Sequence, residues 1–255
     1  MDITTIIITI AIGLLAGFIN VFGGGGSLLT LPLLIFMGLP PQIANGTNRI
    51  ALILQNVVAS GSFRQQKVLD MKTGFKLLLP ALPGAILGAF VAVNVDDKVF
   101  ELILGALLVL MFTFVLIKPR TWERAEVHPF LKQRPWIVYL GFFFIGLYGG
   151  FIQAGIGFFI IALLVLGKGL DLVRTNALKL FIVLIYNSFA FAVFIIHGVV
   201  DYKIGGILAI GNMAGAYIGS RLAVKKGPKL VRYLLLFGLI LSAGKLLGFF
   251  DFIEV

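Results

Sequence analysis

Two cations stand inside apolar sequence with no carboxylate beside them. Arg49 lies eight residues past Pro41 and Lys179 eight past Asp171. On helical geometry, each is roughly 12 Å from the start of its segment. On a helical wheel Asn45, Arg49 and Asn56 share one stripe with Asn48 beside it, and Asn176, Lys179 and Asn187 form a comparable stripe. Thr47 and Thr175 add hydroxyls nearby, although a helical hydroxyl can instead bond its own backbone carbonyl. A cation among amides without a protein counterion suits a small oxyanion, which accepts charge-assisted hydrogen bonds. The alternative is that each long side chain snorkels back to the surface.

Two glycine clusters add backbone chemistry. Gly24, Gly25 and Gly26 precede Ser27, and Gly155 and Gly157 precede Phe158. Each cluster opens a short apolar piece, Ser27–Met37 and Phe158–Leu166, too short to cross a hydrocarbon core of about 30 Å. They are expected to be half-helices. The free N–H groups and positive dipole end of such a helix can face an anion, and glycine lets backbone approach a ligand closely. The competing reading is tight helix packing. Together these residues make one expected substrate-binding set. Nothing resembles an enzyme's nucleophile with an acid–base partner, and with no Cys and two His no metal or cofactor site is expected.

These residues need elements that hold them in lipid. The 255 residues are 60% hydrophobic and 13% charged, with mean hydropathy +1.07, whereas a soluble domain carries roughly 25% charge. The chain reads as an all-α, polytopic membrane protein. Spans are expected at 3–22, 42–63, 75–94, 99–117, 136–154, 171–196, 204–222 and 230–249. The first has no positive n-region and reads as a retained span. Basic clusters at Arg64–Lys76, Lys118–Arg134 and Arg221–Arg232 mark cytoplasmic connections, while Asp96, Asp97 and Asp201 sit in sparse external ones. Both termini are therefore expected outside. The net charge of +10 follows from this topology signal, so no nucleic acid is expected as a partner; the partners are the bilayer and a small anion. The polar stretch 118–135 is a cytoplasmic linker between a first transmembrane repeat, 1–117, and a second, 136–255.

Shifted by 131 residues, 17 of the 65 pairs from Gly24/Gly155 to Gly88/Gly219 match. The matches include Asn45/Asn176, Asn56/Asn187, Asp70/Asp201 and Gly84/Gly215, and they mark an internal duplication. Charge places both ends of 3–37 outside and both ends of 136–167 inside, so each half begins with a re-entrant, broken-helix hairpin. Three further crossings follow in each half. An odd number of crossings gives two repeats of inverted topology, a plan common among secondary transporters.

The run Gly23-Gly24-Gly25-Gly26-Ser27, then Leu31-Pro32, then Ala44-x-Gly46-Thr47-Asn48 resembles the TauE/SafE family of sulfite exporters over nearly the whole chain. The second copy departs from this pattern, having a shorter glycine cluster and no proline after it. The resemblance implies transport of sulfite, a sulfonate or a related anion across the cytoplasmic (inner) membrane. Export is the favoured direction, since a negative interior drives an anion outward by about 2.3 kcal/mol per 100 mV. An anion channel or an uptake carrier for a related anion is the alternative.

Overall fold

The computed structural model describes residues 1–116 and 127–246, with side chains placed for 1–107 and 127–226. Lys118, Arg120 and Arg124 of the basic linker lie outside them. The described residues form helices and no strands: α1 (Ile3–Phe22), α2 (Ser27–Phe36), α3 (Pro41–Gln65), α4 (Met71–Asn94), α5 (Asp97–Leu116), α6 (Pro129–Gln133), α7 (Trp136–Phe151), α8 (Ile156–Lys168), α9 (Leu172–Ile196) and α10 (Tyr202–Leu246). Four of them, α1, α4, α9 and the Tyr202–Lys226 part of α10, are long and apolar enough to cross a membrane. Apolar side chains such as Leu79, Leu102 and Ile196 are more than 70% exposed around the outside, as a lipid-facing surface requires.

Local sequence sets the helix ends. Asp70 accepts the Thr73 N–H at 3.1 Å, Asp171 accepts those of Val173 and Arg174 at 2.9 and 3.0 Å, and Asp201 accepts that of Ile204 at 2.9 Å; each satisfies N–H groups with no intrahelical partner. The first breaks come where glycine permits them. Gly24 and Gly155 have φ of +78° and +71°, left-handed values that Cβ-bearing residues rarely adopt. These breaks separate α1 from α2 and α7 from α8, the two short elements expected from the sequence, although α8 starts at Ile156, before the expected Phe158.

Packing exchanges partners between the halves. α1 lies along α10, α4 lies along α7, and α3 contacts α9 and α10 in the interior. Small residues allow this. A Cβ added to Gly88 would sit 2.0 Å from the Leu147 carbonyl oxygen, and one on Gly215 would sit 1.9 Å from that of Leu14, so backbone meets backbone. At one end of the bundle the Asp201 N–H donates to Thr47 Oγ1 at 2.8 Å. At the other, Arg221 donates to Gln65 at 3.3 Å and the His128 N–H to the Leu166 carbonyl at 2.8 Å.

One expectation is corrected. No turn divides 204–222 from 230–249, because α10 runs unbroken for 45 residues, roughly 67 Å and over twice the hydrocarbon thickness. Ala223-Val224-Lys225-Lys226 carries the charge of a cytoplasmic turn but also continues a helix readily. Among the described residues, then, the broken pair of the second half is followed by two helices instead of three.

Candidate functional site

The two helix breaks meet. A Cβ on Gly24 would lie 2.4 Å from Gly157 Cα, and one on Gly157 would lie 2.5 Å from Gly24 Cα. Beside this contact is a cavity of ≈ 20 Å³, room for about one water. Of the expected site residues, Gly24, Ser27, Asn56, Gly157 and Lys179 line it. Asn20, Gln55 and Gln153, absent from the expected set, line it as well. Neutral amides inside apolar sequence, two of them near the glycine clusters, were the available signal for these three.

Neither buried cation snorkels. Arg49 is 0% and Lys179 1% exposed, and neither has a carboxylate within reach: the sole ion pair among the described residues is Arg174–Asp171. Each is held instead by the C-terminal carbonyls of a broken helix from the other half. Arg49, on α3, donates through Nη2 to the Gly150 carbonyl at the end of α7, with the Gly149 carbonyl 3.4 Å from Nη1 and Nη2. Its Nη1 also donates to Asn187 Oδ1 at 2.6 Å, and its guanidinium lies 4.3 Å over the Phe194 ring. Lys179, on α9, donates to the Asn20 and Val21 carbonyls at the end of α1 at 2.9 and 3.1 Å, and to Asn176 Oδ1 at 2.7 Å. All three ammonium protons of Lys179 are thereby directed to protein oxygens. The negative end of a helix dipole is the counterion that sequence could not supply.

The remaining expected residues surround this arrangement. Asn45 donates to the Phe151 carbonyl at 2.7 Å, and Asn48 Oδ1 accepts from Thr30 at 2.8 Å. Thr47 holds the start of α10, and Thr175 donates to the Leu170 carbonyl at 3.4 Å. Gly26 donates its N–H to Asn20 Oδ1 at 2.8 Å, and a Cβ there would lie 2.3 Å from the Ala16 carbonyl oxygen. Gly25 has more room, its nearest neighbour being the Phe158 ring at 3.4 Å from an added Cβ. Gly155 supplies the left-handed turn into α8.

A chain of amides runs to the cavity. Asn20 and Asn212 each donate to Gln55 Oε1, at 3.1 and 3.2 Å, and Gln55 Nε2 donates to Asn56 Oδ1 at 3.1 Å. Asn56 Nδ2 is buried without a partner. A second, larger cavity of ≈ 210 Å³ opens beside Lys67, Asp70, Thr73 and Arg174.

Residues 9–246 match the family described as sulfite exporter TauE/SafE. A "Probable membrane transporter protein ORF9" of Sinorhizobium is 31% identical, over 92% of this chain and 89% of the relative. A "Probable membrane transporter protein" of Haemophilus influenzae is 26% identical over 99% of both chains. "Probable membrane transporter protein YfcA" of Escherichia coli is 28% identical, over 92% of this chain and 87% of its own length. No solved structure matches. With the match extending through nearly the whole chain, the protein belongs to the sulfite exporter TauE/SafE family of membrane transporters.

Proposed function

We propose that the protein is a secondary transporter that carries a small sulfur-containing oxyanion, such as sulfite or a sulfonate, outward across the cytoplasmic membrane. The observation that carries this reading is the way each break is capped. A helix N-terminus contributes about half a positive charge and a C-terminus about half a negative one. Arg49 and Lys179 cover the C-termini of α7 and α1, so the N-termini of α2 and α8 are left uncancelled and both breaks are net positive. Lys179, Asn56 Nδ2 and the glycine backbone then face a cavity with no carboxylate in its lining. Such a cavity favours an anion.

The exchanged packing of α1 with α10 and α4 with α7 supports two repeats of inverted topology, with α5 as the third crossing of the first. Loading from the cytoplasm is supported by the larger cavity, which lies at the end carrying the Arg64–Lys76 basic cluster and is lined by Lys67 and Arg174 together with Asp70. The bilayer would then be the inner membrane, with the N-terminus outside. The close approach of Gly24 to Gly157 beside the cavity narrows the path at the breaks and favours a carrier over an open anion channel. The test is counterflow in proteoliposomes. Saturable sulfite or sulfonate uptake, accelerated by unlabelled solute inside, is expected. Flux rising linearly with concentration, or no flux of any oxyanion, would overturn the reading.

A further inference from the structure

Gln153 stands between α7 and α8 with φ of +50°, a left-handed conformation unfavourable for any residue with a Cβ. It is 1% exposed, and neither Oε1 nor Nε2 has a hydrogen-bond partner. A buried amide unpaired at both ends is uncommon in native proteins and calls for a specific cause. Here the side chain lines the central cavity together with Asn56 and Lys179. The contrast with the first half is informative. Asn20, at the end of α1, has its Oδ1 on the Gly26 N–H and its Nδ2 on Gln55, so the amide there holds the fold together. In the second half the position matching Asn20 is Phe151, and the amide beside the break is Gln153, two residues further along, which no protein group holds.

The other unpaired group has a defined polarity. Because Gln55 donates to Asn56 Oδ1, what Asn56 retains is a donor, Nδ2. Lys179 adds charge while its protons are held by the α1 carbonyls and Asn176. Beside the Ser27 hydroxyl, which also lines it, the cavity therefore offers two amide donors, from Asn56 and Gln153, and one unpaired amide acceptor, Gln153 Oε1. That acceptor is wasted on a fully ionised oxyanion, which has no proton to give.

We propose that Gln153 is the specificity-determining residue of the transport site, and that with Asn56 it selects an oxyanion that keeps one O–H, of the hydrogensulfite type. The cavity as it stands has room for about one water, so the solute enters as Gly24 and Gly157 part. The two amide N–H groups then donate to the anionic oxygens, and Gln153 Oε1 accepts the solute's hydroxyl. The proposal rests on the oxyanion-transporter reading above. Its acceptor and donor are available whichever way the Gln153 amide is turned.

The test is equilibrium binding to the purified full-length protein in mildly acidic buffer, where sulfite is largely hydrogensulfite. Methanesulfonate serves as the ionised probe without an O–H. The wild-type protein is expected to prefer sulfite. Gln153→Met, which keeps the length of the side chain, is expected to lose sulfite affinity by about tenfold or more while changing methanesulfonate affinity by much less. Wild-type protein that binds sulfite no better than methanesulfonate overturns the proposal, and this arm needs no variant to fold. A Gln153→Met protein with unchanged sulfite affinity overturns it equally. Failure of the wild-type protein to bind any oxyanion would instead overturn the transporter reading beneath it.

Discussion

At the scale of single residues, Arg49 and Lys179 have two consequences that one measurement can separate. They stop the C-terminal carbonyls of α7 and α1 from being buried unpaired, and they make the neighbourhood of the breaks positive. Removing Arg49 with Arg49→Gln leaves the Gly149 and Gly150 carbonyls and Asn187 Oδ1 short of donors. A loss of about 1–3 kcal/mol of stability is expected, read as a lower unfolding midpoint in detergent. Arg49→Lys should restore only part of it, because an ammonium lacks the planar fork that reaches both carbonyls and also stacks on Phe194. An unchanged midpoint for Arg49→Gln would mean that other groups cap α7. Sequence showed both cations, their depth and their amide neighbours. It did not show their partners, because a carbonyl oxygen has no residue type, and Arg49 reaches one 101 positions away in the chain.

At the scale of elements, the breaks themselves determine what the glycines do, and the cluster divides sharply between two adjacent positions. Gly24 combines φ of +78° with the backbone of Gly157, whereas Gly25 has an ordinary φ and only side chains near it, the Phe158 ring and Leu28 Cδ1, both in ordinary contact. Gly24→Ala should therefore sharply reduce the yield of folded protein. Gly25→Ala should stay within about 0.5 kcal/mol of wild type by thermal unfolding. Equal behaviour of the two variants would show that the breaks are not held by the Gly24–Gly157 contact. Gly88→Leu should also fail to fold, since α4 and α7 would have to separate to admit any side chain beside the Leu147 carbonyl. The long apolar helices α1, α4 and α9 and the two short helices were legible because apolar length and glycine punctuation are local signals. The continuity of α10 was not, since Lys225-Lys226-Gly227-Pro228 reads equally as a charged turn or as a helix leaving the membrane. Gln153 was visible as a polar residue just before Gly155, but only the fold shows that its amide is unpaired.

At the scale of the whole molecule, orientation ties the basic clusters to the direction of transport. Lys67 and Arg174 come from opposite halves of the chain yet share one cavity with Asp70. Asp70 and the Asp171 paired with Arg174 offset these two cations, so the positive excess at this end comes from the cluster as a whole, with Arg64, Lys72 and Lys76. Reversing one charge with Arg174→Glu should slow transport from that side, with the deficit shrinking as salt rises, because long-range steering is screened over about 8 Å at physiological ionic strength. Reporter fusions decide which side this is. Fusions after Arg64 and after Lys225 are expected in the cytoplasm, and one at Asp96 outside, since α4, between Asp70 and Val95, is long and apolar enough to cross. External reporters at both Arg64 and Lys225 would invert the molecule and turn the proposed export into uptake. A fusion after Leu246 tests the last element separately. An unbroken α10 puts it on the same side as the fusion after Lys225, because a helix of 45 residues that crosses once cannot return without a turn. The opposite side would restore the turn at Gly227-Pro228, and with it the third crossing of the second half.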